Sequence, residues 1–197
     1  PRQRPEPRWR PQAHPPVKPQ ALYETLWQAV QGREEDIVLR CGDKSLSYGA
    51  LFQGILQAEA GLRALGVGPG ELVTLFSLNT PEAVMAFYAI DRIGAVANWV
   101  DMKVSPAEVE EYLTQAGSRV ALVLEVAFSK VYHHRGKAPT QHFVVLPLAP
   151  YVAPELEGKL HLSTWQQGAG PDCLSWADFL RPPAQVPPEA DRWEEPV

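Results

Sequence analysis

The sequence predicts an α/β fold, a largely parallel sheet with helices on both faces. Three observations predict it. Short apolar stretches alternate with longer segments of helical period from Ile37 to Leu146. The connections between them are short, which implies parallel strand–helix–strand units. The stretch Leu72–Leu78 is mostly apolar without clean alternation, as suits a strand covered on both faces.

The elements follow in order. Residues 21–31 read as a helix, with Leu22, Leu26 and Val30 on one face. Ile37–Arg40 and Ser45–Tyr48, split by Gly42-Asp43, read as a hairpin. A helix from Tyr48 to Leu65 carries Leu51, Ile55, Ala58, Leu62 and Leu65 on one stripe. Ser47 is its N-cap and Gly66 its left-handed stop. Gly49, Gly54 and Gly61 weaken that helix by about 1 kcal/mol each relative to alanine, so it needs packing against a sheet.

Thr80-Pro81-Glu82 supplies an N-cap, a first-turn proline and an acid at the positive helix end. The helix it opens, Ala83–Ile93, is apolar on most sides and is expected to be deeply buried. Ala95–Val100 is the next strand. Ser105-Pro106-Ala107-Glu108 is a capping box, and Val109, Tyr112, Leu113 and Ala116 form the expected buried face of its helix. Val120–Leu124 and His142–Leu146 read as strands, with a short helix over Ala127–His133 between them. After Pro147 the periodicity decays into turns, apart from one or two amphipathic turns at Ser175–Leu180.

Composition narrows the function classes. No apolar run reaches the roughly 18 residues of a membrane span. Two cysteines, Cys41 and Cys173, make no disulfide framework or metal spacing, so a reduced cytoplasmic protein is expected. Residues 1–20 include seven prolines and carry a charge of +4, which leaves −9 on the rest of a chain whose total is −5. An acidic body argues against a nucleic-acid partner.

Few residues carry candidate chemistry. Gly66-Val67-Gly68-Pro69-Gly70 follows a helix and precedes a strand, the reverse of a phosphate loop, and reads as a structural turn. His133 and His134 point apart on a helix and read as surface residues. Glu34-Glu35-Asp36 and Glu108, Glu110 and Glu111 read as solvated carboxylates. Asn79 sits where a strand meets a helix, the edge where parallel sheets place ligands, although capping already accounts for Thr80, Pro81 and Glu82.

Five pieces carry a family resemblance in order from Leu46 to Val123. They are Leu46-Ser47-Tyr48 with Leu51; the stretch Gly61 to Val73; Leu78-Asn79-Thr80-Pro81-Glu82; Gly94-Ala95-Val96 followed by Asp101; and Ser118-Arg119-Val120-Ala121-Leu122-Val123. The chain resembles adenylate-forming enzymes: acyl-CoA synthetases, peptide-synthetase adenylation domains and luciferases. The likeness extends loosely from about residue 20 to Val197. Trp99 and Met102 stand where the family often has prolines, which leaves the substrate class open.

The resemblance implies a parent enzyme that uses ATP, Mg and a carboxylate to form an acyl-adenylate. The acyl group then passes to coenzyme A or a pantetheine thiol. The family's Ser/Thr/Gly-rich phosphate loop, adenine-binding stretch, ribose-binding Asp and mobile-domain lysine have no match here. Glu194-Glu195-Pro196-Val197 resembles the approach to the strand before that loop. The expectation is therefore an N-terminal subdomain that ends before the phosphate loop. It comprises a flexible proline- and arginine-rich arm at 1–20, an α/β body at 21–180, and a proline- and acid-rich segment at 181–197.

No catalytic, cofactor-binding or metal-ligating residue is assigned to this chain. Its expected partner is the remainder of the parent chain, with the carboxylate substrate bound by the whole. The alternative from another class is a non-catalytic interaction module that reuses the fold. A free-standing nucleotide-binding domain fits less well, since no strand leads into a glycine-rich helix start. Sequencing the gene past Val197 separates the first two: a glycine-rich Ser/Thr loop with lysine favours the ligase, and an immediate stop codon favours the module.

Overall fold

The computed structural model describes residues 21–162 and 164–181. The arm expected at 1–20, and all of the expected 181–197 segment except Arg181, lie outside the described residues. The first predicted helix forms as α1 (Leu22–Ala29). Val30 is buried and Leu26 packs against the core as expected, but Leu22 is 53% exposed and Tyr23 is buried in its place. The cause is tertiary. The Tyr23 amide donates to Asp91 Oδ2 at 2.9 Å, its ring meets Phe52 edge-on, and the Arg92 guanidinium lies over the same ring.

The hairpin forms as β1 (Ile37–Cys41) and β2 (Lys44–Ser47), antiparallel, with Cys41 opposite Lys44. Gly42 takes a φ of 55° at the first loop position, a conformation that favours glycine. Helix α2 (Tyr48–Ala64) starts where the Ser47 hydroxyl accepts the Ala50 amide, and Gly66 follows its end with a φ of 80°.

Then come β3 (Leu72–Phe76), α3 (Pro81–Ile93), β4 (Val96–Val100), α4 (Pro106–Ala116), β5 (Val120–Leu124), α5 (Phe128–Tyr132) and β6 (His142–Leu146). Both halves of the predicted capping box are present at Ser105 and Glu108. A short helix, α7 (Trp176–Phe179), forms at the expected amphipathic turns, while α6 (Pro154–Lys159) and a strand before α7 form where the sequence showed only decaying periodicity. That strand, β7 (Cys173–Ser175), pairs in parallel with β6. Three half-buried residues at a sheet edge leave too little pattern to read.

The five strands run parallel in the order β4-β3-β5-β6-β7. All five residues of β5 are buried. Val120, Leu122 and Leu124 face the cluster built by α2, α3 and α7, whereas Ala121 and Val123 face the cluster built by α4 and α5. Tyr112, expected on the buried face of α4, is 42% exposed; Val109 and Leu113 carry that contact. Among the described residues, no helix is long and apolar enough to cross a membrane.

The glycines of α2 have a packing role. A Cβ on Gly54 would lie 2.4 Å from Met85 Sδ of α3. One on Gly61 would lie 2.6 Å from both the Phe179 ring and the Phe179 backbone oxygen of α7. Close helix approach thus replaces the propensity that the glycines lose.

Gly61→Ala tests this. Overpacking costs about 1–3 kcal/mol, against about 1 kcal/mol regained in helix propensity. Because a backbone oxygen cannot swing aside as a side chain can, the variant should lose about 1–2 kcal/mol in urea denaturation. Gly68→Ala, with nothing within 4 Å of the new carbon, should stay within about 0.5 kcal/mol.

Candidate functional site

Strands β3 and β5 are neighbours, and the chain leaves β3 towards β4 but β5 towards β6, in opposite directions along the sheet. In such sheets the carboxyl edge at this switch point is the usual ligand position. Asn79 is exposed there, in the connection from β3 to α3. Its polar neighbours are largely engaged. Ser77 O accepts the Trp99 indole N–H at 2.9 Å. Glu125 Oε2 accepts the amides of Leu148 and Ala149 at 3.1 and 3.3 Å. Lys130 Nζ donates to Met102 O at 2.9 Å and lies over the Phe76 ring. This edge is held together by its own side chains, with Asn79 facing solvent.

A second polar feature lies beside it. Thr80 caps α3, and its Oγ1 accepts the Ala83 amide at 3.4 Å. Glu82 follows Pro81 in the first helical turn, where the helix dipole favours an anion. The sequence accounts for Glu82 as an ordinary capping acid. The structure buries it to 8% exposure, and the Tyr151 hydroxyl donates to its Oε1 at 2.6 Å. Burial pushes the Glu82 carboxyl above its ordinary value, more strongly than hydrogen bonding from Tyr151 and Thr80 holds it down. The Tyr151 hydroxyl is itself pushed up, first by burial and then by its bond to the carboxylate. Glu82 Oε2 is buried without a complete hydrogen bond.

Glu82 and Tyr151 form part of a cleft of about 320 Å³ between the β1–β2 hairpin, α2 and the start of α3. Leu46, Met85 and Trp176 supply apolar wall, and Lys44, Gln53 and Gln57 supply polar lining. Tyr151 is 69 residues from Glu82 and sits in an aperiodic turn, so the sequence carried no signal of the pair.

The other sequence candidates resolve individually. In the turn at residues 66–71, the amides of Gly66, Val67, Gly68, Gly70 and Glu71 all donate within the protein. Arg119 bridges Gly66 O and Glu71 Oε1, each at 2.8 Å. The Gly68 amide and the Arg119 guanidinium hold the Glu71 carboxyl below its ordinary value. This loop has no amide to offer a phosphate.

His133 is exposed as expected, but His134 is not: it is 5% exposed, with Nδ1 3.1 Å from Glu110 Oε2. Glu110, read as a solvated carboxylate, instead spans α4 and the end of α5 and also approaches Lys137 at 3.9 Å. Cys41 and Cys173 are free and half-buried. Among the described residues, no three His, Cys, Asp or Glu side chains are grouped to hold a metal.

The AMP-binding enzyme family matches residues 26–192. Over 121 residues the chain is 33% identical to the long-chain-fatty-acid–CoA ligase of Thermus thermophilus, covering 60% of this chain and 22% of that protein. Over 102 residues it is 30% identical to the 3-hydroxybenzoate–CoA/4-hydroxybenzoate–CoA ligase of Thauera aromatica, covering 52% and 19%. The chain thus spans about a fifth of the length of these curated relatives. In structure it is similar to the anthranilate CoA ligase AuaEII in complex with anthranoyl-AMP. The TM-score is 0.68 at 23% identity, covering 83% of this chain and 28% of that one, a likeness of fold.

The buried Glu82 predicts a pH signature. Its folded pKa is raised, so its contribution to stability is complete below the unfolded value and is lost as pH rises through the folded value. Glu82→Gln keeps an acceptor for Tyr151 and removes the charge. The melting temperature of the variant minus that of the parent protein should therefore rise from acid to neutral pH. Thermal melts across that range check it, and a difference independent of pH would refute the desolvated carboxyl.

Proposed function

The chain belongs to the AMP-binding enzyme family, and we propose that it is the N-terminal scaffold portion of an AMP-forming acid–thiol ligase of the acyl-CoA synthetase kind. The match over residues 26–192 carries the proposal, and the CoA ligases among the relatives support it. In the reaction proposed for the whole enzyme, a carboxylate oxygen attacks the α-phosphorus of ATP and pyrophosphate leaves. A thiol of coenzyme A or a carrier pantetheine then attacks the acyl carbon, releasing AMP and a proton. The ATP would arrive with Mg.

The described residues do not fit the nucleotide or its metal. Adenylyl transfer needs donors aimed at developing phosphoryl charge and carboxylates grouped around a cation. Here the amides of the 66–71 turn are engaged, Lys130 holds Met102 O and Glu125 holds two backbone amides. We assign no step to these residues. Their role in this reading is mechanical: the β3–β5 edge and the helix α3 form one wall of the cleft in which the whole enzyme works.

The reading predicts that the purified 197-residue protein makes no adenylate. ATP–pyrophosphate exchange with acetate, a benzoate or a long-chain fatty acid should stay at background. Exchange with any of these acids, absent contaminating synthetase, would overturn it.

A further inference from the structure

We propose that the cleft between the β1–β2 hairpin, α2 and the start of α3 is a binding site for a small primary amine carried on an apolar body, with the ammonium group donating to Glu82 Oε2. Three observations meet there. The cleft holds about 320 Å³, at the small end of the roughly 300–1,000 Å³ range of ligand pockets. Its apolar side, with Leu46, Met85 and Trp176, suits a hydrocarbon or aromatic body. The most buried polar residue of its lining is Glu82, at 8% exposure, whose second oxygen has no complete hydrogen bond.

The chemistry selects a cation. A buried carboxylate lacking a full set of donors is unfavourable, and an ammonium group supplies both the donor and the opposite charge. An anionic ligand would face Glu82 directly. Lys44 lies exposed on the hairpin, where water screens its charge, so it would compensate an anion poorly. Gln53 and Gln57 on α2 add amide donors and acceptors for a second polar group on the ligand.

Oε2 itself is out of contact with solvent, so the ligand must displace part of a wall to reach it. Met85 is suited to move, being half-buried, unbranched and packed over Gly54, where α2 presents no side chain.

Titrating the 197-residue protein with phenethylamine tests the assignment. Amide-resolved NMR follows the Trp176 indole N–H and the side-chain amides of Gln53 and Gln57. Saturable shifts confined to these signals and the neighbouring backbone are expected. The neutral analogue phenylethanol should bind roughly tenfold more weakly, and so should phenethylamine to Glu82→Gln, as loss of a charge-assisted hydrogen bond implies. Ala50→Trp, placed at an exposed position of α2 that lines the cleft, should abolish the shifts while the spectrum stays dispersed. Equal affinity for amine and alcohol, tighter binding of the carboxylate phenylpropionate, shifts centred elsewhere, or no saturation at millimolar amine would each overturn the proposal.

Discussion

A parallel strand cannot return to its neighbour through a tight turn, and this constraint orders the molecule. Each crossover must travel back along the sheet, and a helix is the form in which it does so with its backbone satisfied. The same helices are the cover that the sheet needs. Since β5 is buried throughout and β6 nearly so, neither face can be left open. Helices α2, α3 and α7 close one face, and α4 and α5 close the other. Three polar side chains in this sandwich form a continuous chain of donors. Asn98 donates to Thr74, Thr74 to Ser118, and Ser118 to Leu72 O, linking β4, β3 and the start of β5. A dry sheet tolerates these hydroxyls because each is paired.

The features legible in the sequence were those whose cause lies within one element. Thr80-Pro81, the Ser105–Glu108 box, Ser47 and the Gly42 turn act over four residues or fewer, and the structure forms each of them. Features set by partners far along the chain were misread. Periodicity placed Leu22 inside, but Asp91, Arg92 and Phe52 rotate α1 to bury Tyr23. His134 passed for a surface residue because Glu110, its partner, lies 24 residues away on another helix. Strand β7 owes its existence to the exposed edge of β6 rather than to any pattern in Cys173–Ser175.

The same distinction governs function. Order and spacing of caps, glycines and apolar strands identify the family, because they record a backbone path that relatives share. They carry no chemistry. The Gly66–Gly70 turn illustrates this: it resembles a phosphate loop in composition, yet its amides bond to the end of α2, to Glu71 and to Gly94 after α3. A glycine-rich segment binds phosphate only when its amides have no other partner.

Glu82 reverses that lesson. As a helix cap it needs no burial: a carboxylate in the first turn favours the dipole from the surface, where hydration costs nothing. Here the cleft encloses it, removing hydration worth more than the Tyr151 and Thr80 hydroxyls return. Glutamine at this position would keep an acceptor for the Tyr151 hydroxyl and carry no charge to desolvate. In this molecule the Glu82 carboxyl lies against a cleft with an apolar wall of Leu46, Met85 and Trp176.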